Sequence, residues 1–305
     1  MHTRLPIFSR HNPKTISLLG LAAFLTLFLF TFLRGANATE SETHQRVLAI
    51  GGAVTEIIYA LGEEDRLVGR DSTSVFPPEA QKLPDVGYIR ALSPEGVLSV
   101  KPDLVLAREN NGPKEAVEVL KSSGLRWVDV PDNFTIGGID ENIRIISTEL
   151  GVPEKGDELR KKVVEEVEAA QKLARAVSDK KRVMFVLSMR DDKIHVSGAN
   201  TAADGIIELA GGINVISEFE GYKQVSNEAV IEAEPDVILM MQRRSENSDH
   251  SSSNDQIQSH PALSTTPAAK NVDIIRMDGL LMLGFGPRTG EAVQTLSKEL
   301  YGDRL

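Results

Sequence analysis

The sequence predicts an α/β protein made of two lobes that are joined by one long helix. Three observations support this fold class. Short apolar strands alternate with amphipathic helices, a motif of the first half of the chain recurs in the second half, and a long charged helix lies between the two halves.

The first half carries the alternation most clearly. We predict strands at residues 46–50, 104–106 and 126–130, and helices at residues 55–61, 114–122 and 138–150. Gly51 and Gly52 provide the turn between the first strand and the first helix. Strands that alternate with helices form a parallel sheet that is covered on both faces.

Residues 153–177 are predicted to form the long helix. Its apolar stripe is narrow and its other faces are charged, so it would span about 37 Å with most of its surface in solvent. The stripe consists of Leu159, Val163, Val167, Ala170 and Leu173. We interpret it as the connection between two lobes; the alternative is one more helix of a single domain. The predicted segments are 1–38, an N-terminal lobe at 39–152, a linker helix at 153–178 and a C-terminal lobe at 179–305.

The second half repeats the organisation of the first, with a strand at 182–187, a glycine turn at Ser197 and Gly198, and a helix through Ile206 and Leu209. The clearest repeat pairs residues 93–106 with residues 226–239. Both segments contain Ser-x-Glu, then Pro-Asp, then an apolar strand. Each predicts a short helix that is capped by the serine and has a glutamate in its first turn. Residues 243–270 are rich in Ser, Asn and Asp and predict a polar loop.

The N-terminus predicts export. Three basic residues precede an apolar run of about 18 residues, which ends at Ala36-Asn37-Ala38 in the order of a signal peptide cleaved near Ala38. The alternative is a retained membrane anchor, because this length just spans a bilayer. The chain of 305 residues has a formal charge of −10, which argues against nucleic acid as a partner, and it has no cysteine for a disulfide or a thiolate metal site.

The motifs that would indicate an enzyme are absent from the sequence. Residues 51–55 do not form a dinucleotide fingerprint, and there is no Walker-type turn or Gly-x-Ser-x-Gly elbow. The histidines are too scattered for a zinc triad, and only His195 falls within the predicted alternation. We therefore predict a protein that is not an enzyme.

Tyr88 and Arg90 form the candidate ligand-binding motif, on a loop just before the capped helix at Ser93. A phenol becomes an anionic oxygen ligand for ferric iron when a guanidinium stabilises the phenolate, and tyrosine is a known axial ligand of heme. Taken alone, the pattern Tyr-x-Arg is weak evidence, and an aromatic side chain that packs on a loop is the default interpretation.

Nearly the whole chain after residue 38 resembles the periplasmic heme-binding proteins of bacterial ABC importers, within the wider group of siderophore and cobalamin carriers. The matching segments are residues 50–62, 87–96, 200–204, 209–213 and 283–288. The resemblance implies two Rossmann-like lobes on a helical backbone with the ligand between them. It also implies a monomer in the periplasm that belongs to an iron-uptake system.

The resemblance assigns roles to six residues. Tyr88 would be the axial iron ligand, and Arg90 would be its hydrogen-bonding and charge partner. Glu95 and Glu228 would dock against basic residues of the permease, although both also fit plain helix capping. Met189 would lie against the porphyrin and Arg190 would pair with a propionate; the alternative for both is a solvent-facing turn. A histidine that supplies a second iron ligand in some relatives has no match here.

Heme is thus the expected transported ligand, and it is not a catalytic cofactor. The expected partners are the transmembrane subunits of an ABC permease, the ATPase bound to them, and an outer-membrane heme receptor upstream. The residues alone leave three rival functions open. The first is a carrier of a ferric siderophore, cobalamin or another tetrapyrrole. The second is an exported heme-modifying enzyme, and the third is a surface adhesin or sensor.

Overall fold

The computed structural model describes residues 45–190, 193–242 and 254–304. The predicted export segment, and residues 243–253 of the predicted polar loop, lie outside these ranges. Within them, no helix combines the length and the apolar character that crossing a membrane requires.

The N-terminal lobe contains a sheet of four parallel strands in the order β2-β1-β3-β4. Its strands are β1 (Val47–Ile50), β2 (Leu67–Arg70), β3 (Leu104–Arg108) and β4 (Arg126–Val130). Its helices are α1 (Gly52–Ala60), α2 (Pro94–Ser99), α3 (Lys114–Ser122) and α4 (Ile136–Glu149), with 3-10 turns at Glu64–Arg66 and Pro78–Lys82. Strands β1 and β3 are buried at every position, as a strand covered on both faces requires. The predicted parallel sheet is confirmed.

The long helix is α5 (Pro153–Arg175), which begins with proline in its first turn. Its buried stripe includes Val163, Val167 and Ala170, as predicted. The stripe then continues through Ala174, because Leu173 is turned outward and remains 50% exposed. Leu173 was therefore wrongly assigned to the buried face.

The C-terminal lobe contains a mixed sheet in the order β10-β9-β5-β6-β8, with β7 beside β5. Its strands are β5 (Arg182–Arg190), β6 (Lys193–Ser197), β7 (Ile213–Asn214), β8 (Tyr222–Val225), β9 (Val237–Gln242) and β10 (Ile274–Asp278). Its helices are α6 (Ala202–Leu209), α7 (Asn227–Ala233), α8 (Asn254–Ser259), α9 (Pro267–Asn271), α10 (Gly279–Leu283) and α11 (Thr289–Tyr301), with 3-10 turns at Leu263–Thr265 and Gly302–Arg304. Strand β5 runs past the predicted end and pairs antiparallel with β6, which pairs antiparallel with β8.

The predicted polar loop at 243–270 is wrong for its second part. Residues 254–271 contain α8 and α9, and Ile257, Leu263 and Ala268 are fully buried in the C-terminal core. His260 is also buried, and its Nδ1 accepts hydrogen bonds from the backbone of Ala262 and Leu263. These apolar residues are spaced among polar ones, so the polar composition concealed two short helices.

The largest hydrophobic cluster runs through both lobes without interruption. It includes Val47 and Leu106 of the first sheet, Val167 of α5, and Phe185 and Leu239 of the second sheet. Each lobe has in addition a smaller cluster of its own, on the opposite face of its sheet. The lobes therefore share one core, while the domain boundaries predicted from the sequence stay a prediction.

Candidate functional site

The carboxyl ends of β1 and β3 meet at the point where the order of the first sheet reverses. In open α/β sheets a crevice forms at this point, just outside the carboxyl ends of the strands, and it is the usual place for a ligand. Gly51 follows β1 with a φ of 106°, and a Cβ atom there would lie 2.5 Å from Cγ of Arg108 at the end of β3. Only glycine combines that backbone conformation with such a close approach.

The loop that carries Tyr88 is held firmly against this edge. Backbone hydrogen bonds connect Ile89 and Leu92 to Gly112, at 2.9 and 2.7 Å, and the amide of Ser72 donates to the carbonyl of Gly87 at 2.9 Å. The Tyr88 side chain itself is 48% exposed. Tyr88 is therefore an exposed side chain on a loop whose backbone is hydrogen-bonded on both sides, and it is not part of the buried core.

Arg90 is exposed two residues further on, and among the described residues no hydrogen bond joins it to Tyr88. Its charge acts instead on Tyr222, at the start of β8 in the other lobe. Burial raises the pKa of the Tyr222 phenol, and hydrogen bonds with Ala203 and Thr201 together with the charge of Arg90 partly offset this. The charge of Arg90 is thus the contribution to the Tyr222 pKa that comes from a cation of the N-terminal lobe.

Tyr222 was not singled out from the sequence. It is half-buried, its ring packs edge-on against Phe185 at 6.2 Å between centroids, and its hydroxyl reaches the N-terminal turn of α6. The signal that could have found it is a longer repeat: Gly87-Tyr88 precedes Ser93 as Gly221-Tyr222 precedes Ser226, and both glycines have positive φ. The second tyrosine escapes notice because its spacing is one residue shorter.

Arg108 joins the lobes at the base of the crevice. Its Nε donates to Oδ1 of Asp132 at 2.5 Å, and another guanidinium nitrogen donates to the carbonyl of Gly284 in the C-terminal lobe at 2.7 Å. The guanidinium lies over the Phe134 ring, which contacts Phe285 edge-on. Arg108 is only 8% exposed, so its charge is paired with Asp132 and is not available to a solute.

A second connection between the lobes lies beside α1. Glu56 receives two hydrogen bonds from Arg288, at 2.8 and 2.6 Å, and the Arg288 guanidinium stacks 3.6 Å from the centroid of the Phe76 ring. Leu280 of α10 reaches Gly52 so closely that a Cβ atom there would lie 2.3 Å from it. The carboxyl edges of the two sheets thus face each other across a narrow space.

Met189 and Arg190 lie at the end of β5, as predicted, where this strand pairs with β6. Met189 is half-buried and packs against the smaller core of the C-terminal lobe, whereas Arg190 is exposed. The partly buried residues of this lobe that pack against the shared core include Leu187, Tyr222 and Met241. Contact of Met189 and Arg190 with a ligand stays a prediction.

Glu95 and Glu228 occupy equivalent positions in the two lobes. Both are exposed in the first turn of a short helix, α2 or α7, whose serine cap accepts a backbone hydrogen bond at 3.0 or 3.2 Å. Hydrogen bonds from its own backbone and from Ser226 lower the pKa of Glu228. Neither glutamate forms an ion pair with a described residue.

The structure was also searched for a cavity and for a metal site. A cavity of about 720 Å³ runs beside α5 and α6, lined by Phe134, Gln171, Arg175 and Asp204 among others, and it includes neither tyrosine. Among the residues whose positions are known, no group of three or more His, Asp or Glu side chains is arranged to hold a metal ion.

Comparison with known proteins finds a matching family model and a similar solved structure. The family model described as "Periplasmic binding protein" matches residues 47–280. The periplasmic heme-binding protein RhuT from Roseiflexus sp. RS-1, solved in apo form, is 36% identical with a TM-score of 0.79, and the match covers 86% of this chain and 99% of RhuT.

Two curated relatives also match this chain, and the name of one of them states a ligand. An uncharacterized ABC transporter substrate-binding lipoprotein of Bacillus subtilis is 26% identical over 270 residues, which cover 88% of this chain and 83% of the relative. The vitamin B12-binding protein of Vibrio parahaemolyticus is 31% identical over 217 residues, which cover 71% of this chain and 76% of the relative.

Proposed function

Because this chain belongs to the periplasmic binding protein family, we propose that it binds heme between its lobes and delivers it to an ABC-type permease. The family consists of substrate-binding transport proteins, so the prediction that the chain is not an enzyme is confirmed. Such a protein works with a permease and an ATPase. Heme as the ligand, and the residues that hold it, are the proposal.

The observation that carries the proposal is the exposure of the Tyr88 side chain on a loop with a fixed backbone. Its loop is fixed by backbone hydrogen bonds to Gly112 and Ser72, while the side chain is 48% exposed at the edge of the crevice. A phenolate oxygen is a hard ligand that favours ferric iron, and Arg90 supplies a positive charge on the same loop. Similarity to a periplasmic heme-binding protein over 86% of this chain supports the same ligand.

Other side chains would complete the heme site. Apolar groups such as Ile89, Leu187 and Met241 would enclose the porphyrin, and Arg90 and Arg190 are exposed cations that fit the propionates. Met189 would join the apolar wall only if the β5-β6 hairpin shifts on binding. We propose Tyr88 as the single axial protein ligand.

The decisive experiment is a titration of the purified apo protein with hemin. We expect a tyrosinate-to-iron charge-transfer band that is lost in Tyr88→Phe and in Tyr88→Ala. Tyr59→Phe is the matched control, because Tyr59 lies on α1 and packs against the core. A wild-type spectrum in Tyr88→Phe would defeat the ligand assignment, and recovery of degraded heme after long incubation would indicate a heme-modifying enzyme.

Cobalamin is the second candidate, because a vitamin B12-binding protein matches 71% of this chain. A parallel titration with cyanocobalamin distinguishes the two ligands. Tight binding of cobalamin without tight binding of hemin would leave the transport function intact and replace the ligand.

Export and docking complete the proposal. We propose that the segment before Ala38 is a cleaved signal peptide and that the mature protein works in the periplasm; N-terminal sequencing of the exported protein tests this.

Glu95 and Glu228 would contact basic residues of the permease. The charge reversals Glu95→Lys and Glu228→Lys should lower uptake and leave the affinity for hemin unchanged.

A further inference from the structure

The two short helices α2 and α7 are equivalent in more than their glutamates. Asp103 accepts a hydrogen bond from the Arg46 amide at 2.9 Å, and Asp236 accepts one from the Arg182 amide at 2.8 Å. Both helices are followed by a residue with positive φ, 48° at Lys101 and 38° at Glu234. The repeat therefore extends from the sequence to these hydrogen bonds and backbone angles, and positions in one lobe can be matched to positions in the other.

Within that match, one pair of apolar residues is exposed. Val97 and Val230 are fully buried beneath the two helices, as an amphipathic helix requires. The next residues, Leu98 and Ile231, point outward and are 44% and 47% exposed. A single exposed aliphatic side chain is ordinary, but its recurrence at the same position of both lobes is not explained by packing.

Each exposed aliphatic residue lies beside a glutamate. Leu98 follows Glu95 by three positions, and Ile231 follows Glu228 by three positions, a spacing that places both side chains on one face of a helix. Each lobe thus presents an exposed carboxylate, without an ion pair among the described residues, next to a large apolar group. A partner that fits has a basic side chain beside an apolar pocket, and it has that pair twice.

We infer that Leu98 and Ile231 are the apolar anchors by which the protein docks on the two transmembrane subunits of its permease, one anchor per lobe. The inference deepens the proposed function and rests on it. The glutamates steer the protein to the permease, and the aliphatic side chains bury in the contact and slow its dissociation. Charges at an interface rim act mainly on association, whereas buried anchors act on dissociation.

The test uses the permease–ATPase complex of the source bacterium whose ATP hydrolysis the wild-type protein stimulates, reconstituted in lipid nanodiscs. Association and dissociation rates are measured for Leu98→Ser, Ile231→Ser and the double variant. We expect each single substitution to raise the dissociation rate about ten-fold with little change in the association rate, and the two effects to multiply. Leu173→Ser, on the exposed face of α5 at 50% exposure, is the matched control and should have no effect.

Two comparisons separate this inference from the proposed function. Glu95→Gln and Glu228→Gln should lower the association rate and make it less sensitive to salt. If these variants weaken docking while Leu98→Ser and Ile231→Ser dissociate as slowly as the wild type, the aliphatic anchors are refuted and the docking glutamates stand. If the wild type stimulates no permease complex, the transport function itself fails. Hemin affinity and thermal midpoint should be unchanged in all serine variants.

Discussion

Glu56 and Arg288 form a two-pronged ion pair that connects α1 to the C-terminal lobe, with N–O distances of 2.8 and 2.6 Å. The Glu56 side chain is 5% exposed and the Arg288 side chain 23% exposed. Burial raises the pKa of the Glu56 carboxyl group, and Arg288 partly offsets this. The pair therefore orients the lobes at a cost in desolvation.

Arg288→Met should destabilise the protein by about 3 kcal/mol, the low end for a broken buried pair because Arg288 keeps some contact with water. Without Arg288 the pKa of Glu56 rises further above its value in the unfolded chain. Stability is then lost as the pH rises from the ordinary carboxyl range through the folded pKa, so the deficit should be larger at pH 8 than at pH 5. Urea unfolding at the two pH values measures this.

Glu56→Gln is the control for that prediction. It removes the charge of the carboxylate but keeps a hydrogen-bond acceptor for Arg288, so its deficit should not grow between pH 5 and pH 8. A pH-independent deficit in Arg288→Met would show that the loss of Arg288 does not raise the pKa of Glu56 further.

The protein should unfold in one cooperative transition, because the largest hydrophobic cluster includes Val47, Val167 and Phe185 and so spans both lobes and α5. Differential scanning calorimetry should give equal calorimetric and van't Hoff enthalpies. A fragment of residues 45–152 should fail to fold, since it would expose its half of that cluster. Two separate calorimetric transitions would show that the lobes are independent domains.

Local patterns predicted much of this structure, and contacts between distant segments account for what they missed. Buried runs such as 104–106 and the Ser-x-Glu repeat identified strands, helices and two lobes, because strand burial and helix capping depend on neighbouring residues. The pairing of Arg108 with Gly284 and of Glu56 with Arg288 depends on how the lobes meet, and no local pattern encodes it. The β5-β6 hairpin was missed because residues 193–197 alternate too briefly to be told from a loop.

Arg108→Lys should lower stability by about 2 kcal/mol. A lysine ammonium cannot hold Asp132 and the Gly284 carbonyl together in the planar geometry that the guanidinium provides, and a hydrogen bond to a charged group contributes in this range. Chemical denaturation measures the loss. Asp132→Asn should cost a similar amount, and the double variant should cost less than the sum because both substitutions remove the same contact. Strict additivity would contradict the pairing.

Tyr222→Phe separates the role of Tyr222 from that of Tyr88 at the crevice. The variant loses the hydroxyl contacts with Thr201 and Ala203 at the start of α6, so it should be less stable by about 1 kcal/mol, which corresponds to a thermal midpoint lower by about 2 to 4 °C. If Tyr88 is the iron ligand, the hemin complex of Tyr222→Phe keeps its charge-transfer band. Loss of that band in Tyr222→Phe, with retention in Tyr88→Phe, would move the ligand to the C-terminal lobe, where burial already raises the pKa of the phenol and disfavours the phenolate that ferric iron requires.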